Sequence, residues 1–224
     1  MDSSNGGISM TGKIKLVHSG GNAVSIAVPT SNPSSSEVEF KLPQADGTSG
    51  QALVTDASGN LSFSGTGKIL QVKNVTKTDT FSSSLSQYVA ASVTGMDLAF
   101  TASSTSNRLL FQININVCIS SNNRPIAFFL VADGTKIDAA TGDAASNRYR
   151  STATGLVDYE STMELLQMNY YHTPTSTNSI TYGIKIQNSH DSTNTVYVNR
   201  THSDVDTQFA HRTISSMTIM EVAA

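Results

Sequence analysis

Residues Arg108–Ile119 read RLLFQININVCI, with Leu109, Phe111, Ile113, Ile115, Val117 and Ile119 at every second position. Successive side chains of a strand point to opposite faces, so this run lines one face of a sheet with large apolar groups. Gln112, Asn114, Asn116 and Cys118 fall on the other face, which is expected to meet water or a neighbouring chain. Downstream, Ile126–Val131 is continuously apolar and is followed by Ala132-Asp133-Gly134-Thr135. Asp-Gly tolerates the positive φ of a tight hairpin, so a turn is expected there. Further strand signals recur at Ile69–Val75, Tyr88–Val93, Met96–Thr101, Leu165–Tyr171, Thr181–Asn188, Thr195–Asn199 and Ser216–Val222. No window carries a 3.6-residue apolar stripe beyond one turn. Many short strands without helices predict an all-β chain ending in a jelly-roll-like β-sandwich, although alternation alone leaves other sandwich topologies open.

Composition agrees with strands. Of 224 residues 14% are charged and 38% hydrophobic, and the formal net charge is −3. A disordered chain of low hydrophobicity carries a high net charge, so this balance favours order. Thr, Val, Ile and Asn suit strands whose exposed faces are polar but uncharged. The near-neutral balance lacks the clustered Lys and Arg that phosphate backbones require, so no nucleic-acid partner is expected. No apolar run approaches the ~20 residues that span a bilayer, so no membrane insertion is expected. The first ten residues, MDSSNGGISM, have neither a basic stretch nor an apolar one, which predicts no signal peptide. Cys118 is the single cysteine and excludes an intrachain disulfide, in keeping with assembly in a reducing cytoplasm.

Two smaller blocks precede the sandwich. Ile8, Met10, Ile14 and Leu16, then Val24, Ile26 and Val28, alternate on either side of Ser19-Gly20-Gly21-Asn22, which predicts a β-hairpin module over 1–30. A Pro/Ser-rich joint, TSNPSSS, opens the connector, 31–67, and the sandwich is expected over 68–224. Within the connector, Lys41–Gly65 reads KLPQADGTSGQALVTDASGNLSFSG, where Asp46-Gly47 and Ser58-Gly59-Asn60 separate three short apolar runs. Such turns predict small hairpins. Phe40, Leu42, Leu53, Leu61 and Phe63 are too sparse to make a core within one chain, so they are expected to pack between copies.

This Gly-punctuated block resembles a connector of bacteriophage tail fibres and related virion appendages that precedes a C-terminal β domain. Gly67-Lys68-Ile69-Leu70-Gln71-Val72 resembles the start of that domain, and Met217–Ala224 (MTIMEVAA) resembles its last strand. The resemblance covers roughly residues 38–224. It implies a tumour-necrosis-factor-like or C1q-like trimeric jelly roll, hence a homotrimeric tail fibre or fibre tip that attaches to the host surface. Its partners would be its own copies, other virion proteins bound through the N-terminal region, and a host glycan or surface protein. The same family includes trimeric capsid decoration or head-fibre proteins, which is the alternative location. A polysaccharide-cleaving spike is a third reading.

The chemistry-bearing residues give enzymatic readings little support. His18, His172, His190, His202 and His211 form no closely spaced pair of the kind that binds zinc. His190-Asp191 and His202-x-Asp204 are the residual candidates for a divalent ion. Asp133, Asp138 and Asp143 lack the ligand spacing of a calcium loop and read as turn residues. Asp158, Glu160 and Glu164 are the acids a glycosidase would need, but the solenoid repeats of long β-helical spikes are absent. No GxSxG elbow surrounds a serine, and Cys118 sits within a strand pattern. Asn74-Val-Thr76 and Asn199-Arg-Thr201 match the glycosylation sequon without a secretory context. No catalytic, cofactor-binding or metal-binding residues are therefore expected, and the chain is read as a non-enzyme. Arg148-Tyr149-Arg150, in a loop rich in Asn, Ser and Gly, is the candidate receptor-contact segment, because a tyrosine offers a flat apolar face with a polar edge.

Overall fold

A computed structural model describes residues 13–27, 31, 38–65, 68–208 and 210–224. The chain divides into two compact units, Met1–Thr66 and Gly67–Ala224. Among the described residues no helix is long and apolar enough to cross a membrane.

In the first unit, β1 (Lys13–Val17) and β2 (Ala23–Ala27) form an antiparallel hairpin in which Leu16 lies opposite Val24. The His18 N–H donates to the Asn22 carbonyl at 2.7 Å and closes the turn. Ile8, Met10 and Val28 of the predicted module lie outside the described residues.

The connector corrects the sequence reading in one respect: among its described residues it holds a single hairpin, not several. β3 (Gln51–Thr55) pairs with β4 (Leu61–Gly65), placing Leu53 opposite Phe63. Asp56 closes the turn, accepting the N–H groups of Ser58 (2.8 Å) and Asn60 (3.1 Å) and the Asn60 side-chain amide (2.6 Å). That amide, with the Ser58 N–H, holds the Asp56 carboxyl below its ordinary range. The run containing Phe40 and Leu42 forms no hairpin of its own. It lies alongside the turn through a parallel bridge, Lys41 to Asn60, with the Leu61 N–H donating to the Lys41 carbonyl at 2.8 Å. Gly59 has φ +85°, and a Cβ there would lie 2.3 Å from the Glu39 carbonyl oxygen, so glycine is required at that crossing.

The second unit is a two-sheet antiparallel sandwich. Its strands are β5 (Ile69–Lys77), β6 (Phe81–Leu85), β7 (Ala90–Ser92), β8 (Leu98–Thr101), β9 (Arg108–Ile119), β10 (Arg124–Ala132), β11 (Thr135–Lys136), β12 (Ala153–Val157), β13 (Glu164–His172), β14 (Ser179–Asn188), β15 (Asn194–Val198) and β16 (Ser215–Val222). Leu109–Val117 of β9 pairs with β13, while the opposite edge of β9 takes β16 over Arg108–Asn114 and β15 over Val117–Ile119. β15 and β16 therefore share one column, flanked by β6 and β5 respectively. The first sheet thus runs β13, β9, β15/β16, β6/β5. By the same logic the second runs β11/β12, β10, β14, β7/β8. Followed along the chain, consecutive columns cross between these two four-column sheets, except that β10 and β11/β12 are neighbours within the second; this is the jelly-roll order.

Alternation built the core. Leu109, Phe111, Ile113, Ile115, Val117 and Ile119 are buried in one cluster with Ile126, Phe128 and Leu130 of β10 and Tyr182, Ile184 and Ile186 of β14. Three expectations needed correction. Cys118, placed by alternation on the polar face, is fully buried, because the Asp158–Thr162 loop covers that end of β9 and brings the Glu160 carbonyl 3.3 Å from its sulfur. Burial pushes the Cys118 thiol up. The strand read at Tyr88–Val93 is only Ala90–Ser92, because Tyr88 has φ +58° and turns the chain. The strand read at Met96–Thr101 begins at Leu98, and Met96 is buried in the preceding turn.

Glu221 of β16 is a fully buried carboxylate near the end of the chain. Its Oε1 accepts the Ser103 N–H (2.8 Å), the Ser103 hydroxyl (2.7 Å) and the Asn107 amide (2.7 Å), and its Oε2 accepts the Gln71 amide (2.6 Å). Desolvation pushes this carboxyl up, but the hydrogen bonds outweigh it and hold it at about 2. The cage ties β5, the Ser103–Asn107 loop and β16 together.

Candidate functional site

β10 carries the clue to the site. Its inward Phe128 and Leu130 belong to the core, yet its outward Ala127, Phe129 and Val131 are buried too. Something must cover the outer face of the second sheet, and the segment 146–151, which follows the 3-10 turn Asp138–Ala140, lies beside Ala127 and Phe129 there. Its far end is anchored at the β10 edge, where the Thr152 N–H donates to the Phe128 carbonyl at 3.0 Å. From there the loop reaches across the sheet, and Tyr149 stacks on Tyr88 beside β7 with ring centroids 3.9 Å apart and planes 16° from parallel.

Between loop and sheet lies a cleft of about 650 Å³ lined by Phe129, Lys136, Lys185, Gln187 and Ser146–Arg150. A smaller recess of about 310 Å³ continues past Tyr88 and Tyr149 toward Ser151, Thr154 and Ser189. Both fall within or near the size range of small-ligand sites, about 300–1,000 Å³. Four cations, Lys136, Arg148, Arg150 and Lys185, line the larger space, and no carboxylate is among its lining residues.

The cations differ in freedom. Arg150 is a clamp: its Nε donates to the Gly142 carbonyl (2.6 Å) and its Nη2 to the Asp138 carbonyl (3.0 Å), which fixes the loop's entry. Lys185 donates to the Gly134 carbonyl at 2.7 Å, and Lys136 pairs with exposed Asp138 at 3.2 Å. Arg148 contributes only its backbone N–H, to Ala145 at 3.1 Å, and its side chain is exposed. Tyr149 is 60% exposed, one ring face against Tyr88 and the other open. Tyr88 holds a left-handed conformation unusual for a bulky residue. Its N–H donates to the Asn188 carbonyl and its own carbonyl accepts the Gln187 amide, each at 2.8 Å. Strain of this kind, about 1–3 kcal/mol, persists where neighbours fix it and concentrates at binding sites.

The structure thus brings Arg148, Tyr149 and Arg150 to one cleft, with Arg150 positioning the loop and the other two facing outward. Sequence reasoning missed Tyr88, Lys136, Lys185 and Gln187, which come from distant segments; the doubly apolar β10 was the available signal. The connector residues lie in the other unit. Phe40 is 63% exposed, Leu42 79%, Leu53 50% and Phe63 39%, and Leu61 is half-buried.

The remaining candidates are occupied otherwise. Asp204 accepts Arg200 at 3.2 Å and Arg212 at 2.7 Å, so it does not join His202. The His202 Nδ1 meets the Tyr197 hydroxyl at 2.8 Å. His190 pairs with its neighbour Asp191. The Asp133 carboxylate accepts the Thr181 N–H at 2.9 Å. Among the described residues no three His, Cys, Asp or Glu side chains converge on a common point.

No family model matches the chain, and no curated protein matches it. Solved structures overlap it loosely. A chain from the structure of infectious bursal disease virus Gx strain is 15% identical, with a TM-score of 0.36, covering 77% of this chain and 41% of that one. One from the Gt strain of the same virus is 15% identical, with a TM-score of 0.36, covering 91% and 48%. One from T=1 particles derived from that virus is 14% identical, with a TM-score of 0.37, covering 77% and 41%. The chain spans less than half the length of these solved chains, and overlaps this loose assign it no function.

Proposed function

We propose that this chain is a structural, non-enzymatic component of a bacteriophage virion: a homotrimeric tail fibre or fibre tip that adheres to the host surface. The observation that carries the reading is the connector. Leu53 and Phe63 on a short hairpin, and Phe40 and Leu42 in the run bridged to its turn, remain exposed in the single chain, and a two-stranded hairpin is marginal alone in water. Sister chains packing these side chains against one another would give the segment the core it lacks. The resemblance of Lys41–Gly65 to virion-appendage connectors supports a place on the virion, with a trimeric capsid decoration or head fibre as the alternative location. The mechanism is adhesion: three copies of the jelly roll present the Arg148–Arg150 loop together, and multivalency multiplies a modest single-site affinity. The N-terminal region docks onto other virion proteins.

Sedimentation equilibrium tests the assembly. The full chain is expected to run at about three times 23.7 kDa, and a stable monomer at micromolar concentration would refute the stalk. Phe63→Ser should weaken assembly while leaving the thermal unfolding of residues 68–224 nearly unchanged. Gold-labelled antibody on particles is expected at the tail; labelling of the capsid would move the protein to the decoration class.

A further inference from the structure

Resting on the adhesion reading, we infer that the cleft beneath the Tyr149 loop is a receptor site for an anionic sugar, one bearing a carboxylate, sulfate or phosphate. The charge distribution is the first ground. A chain of net charge −3 gathers Lys136, Arg148, Arg150 and Lys185 around one cleft and lines it with no acid. Such a pocket concentrates the field on an anion small enough to enter, while the acidic remainder of the chain disfavours an extended polyanion.

Geometry is the second ground. The loop is held by contacts that leave its recognition groups free: Arg150 is spent on the Gly142 and Asp138 carbonyls, so Arg148 and Tyr149 stand out from a fixed frame. A guanidinium presents parallel N–H donors that match the two oxygens of a carboxylate or phosphate. Tyr149, backed by Tyr88, offers one open aromatic face 3.9 Å above its partner's ring, a plate on which the C–H face of a sugar ring can lie. Asn147 and Gln187 line the same space with amides suited to ring hydroxyls. Acid group, apolar ring face and hydroxyls each find a partner. The strained Tyr88 backbone, fixed between Asn188 and Gln187, keeps the plate in place without a ligand.

The test is biolayer interferometry of the full chain against immobilised N-acetylneuraminate, oligogalacturonate and mannose 6-phosphate. Galactose, methyl-esterified oligogalacturonate and mannose serve as neutral counterparts, and a single-stranded oligonucleotide as a polyanion. At least one acidic sugar should bind about tenfold tighter than its neutral counterpart, the discrimination expected of a charge-assisted hydrogen bond. That binding should weaken in about 0.5 M salt. Arg148→Gln and Tyr149→Ala should each weaken it about tenfold while circular dichroism stays unchanged. Binding to none of the acidic sugars, equal binding of neutral sugars, equal binding of the oligonucleotide, or an unaffected Arg148→Gln variant would overturn the inference. A trimer that binds neutral sugars loses this inference and keeps the adhesion reading. A monomer that binds acidic sugars through Arg148 loses the appendage and keeps the cleft.

Discussion

Replacing Glu221 by glutamine probes the cage that closes the sandwich. The buried carboxylate accepts four hydrogen bonds, from the Ser103 N–H and hydroxyl, Asn107 and Gln71, which hold it at about 2 against an ordinary 4.5. At 1.36 kcal/mol per pH unit that gap amounts to about 3 kcal/mol of folding free energy at neutral pH. Because the folded value is the lower one, this contribution is complete above 4.5 and fades as pH falls from there to about 2. Glu221→Gln keeps the shape, removes the charge and aims an amide N–H₂ at groups that are themselves donors. The expected loss is about 3 kcal/mol at pH 7, in the range for a broken charged hydrogen-bond network. Urea unfolding at fixed protein concentration, followed by far-ultraviolet circular dichroism because the chain has no tryptophan, reads it directly. The gap between wild type and variant should narrow steadily below pH 4.5 and close near pH 2. A loss under about 1 kcal/mol at pH 7, or one that persists unchanged in acid, would refute the electrostatic account of the cage.

Two further changes probe other links in the argument. Gly59→Ala should cost about 1–2 kcal/mol from the left-handed backbone alone, and its Cβ would collide with the Glu39 carbonyl; amide exchange at Lys41 and Leu61 should quicken, and unchanged protection would mean that the bridge to the connector hairpin does not form. Tyr182→Phe should stabilise the fold by roughly 1 kcal/mol, since the buried hydroxyl has no partner among the described residues and desolvation pushes it up to about 12; a less stable variant would indicate that the hydroxyl is satisfied.

Strands with one oily face were legible from residues alone. β9, β13, β14 and β16 announced themselves by alternation, and Asp133-Gly134 takes the positive φ values, 47° and 74°, that its sequence demands. β6 (Phe-Ser-Ser-Ser-Leu) and β12 (Ala-Thr-Gly-Leu-Val) were not legible. Both lie at sheet edges, and the ladders to Asn194–Val198 and to β10 impose strand geometry on residues whose own pattern is faint. The Cys118 position was misread for a related reason: alternation reports a strand's two faces but not the loop that later covers one of them.

The amino-acid order by itself determined that this is an all-β chain, where its longest strand runs, and that Phe40, Leu42, Leu53 and Phe63 find no interior in their own short segment. Those conclusions follow from side-chain period and turn chemistry, which act over a few residues. Tertiary structure alone decided the jelly-roll order, the burial of Glu221 and the gathering of four cations beside the Tyr88–Tyr149 stack. Their members come from separate stretches of the chain, and only the packing of two sheets with a loop laid across one of them brings those stretches within reach of one another.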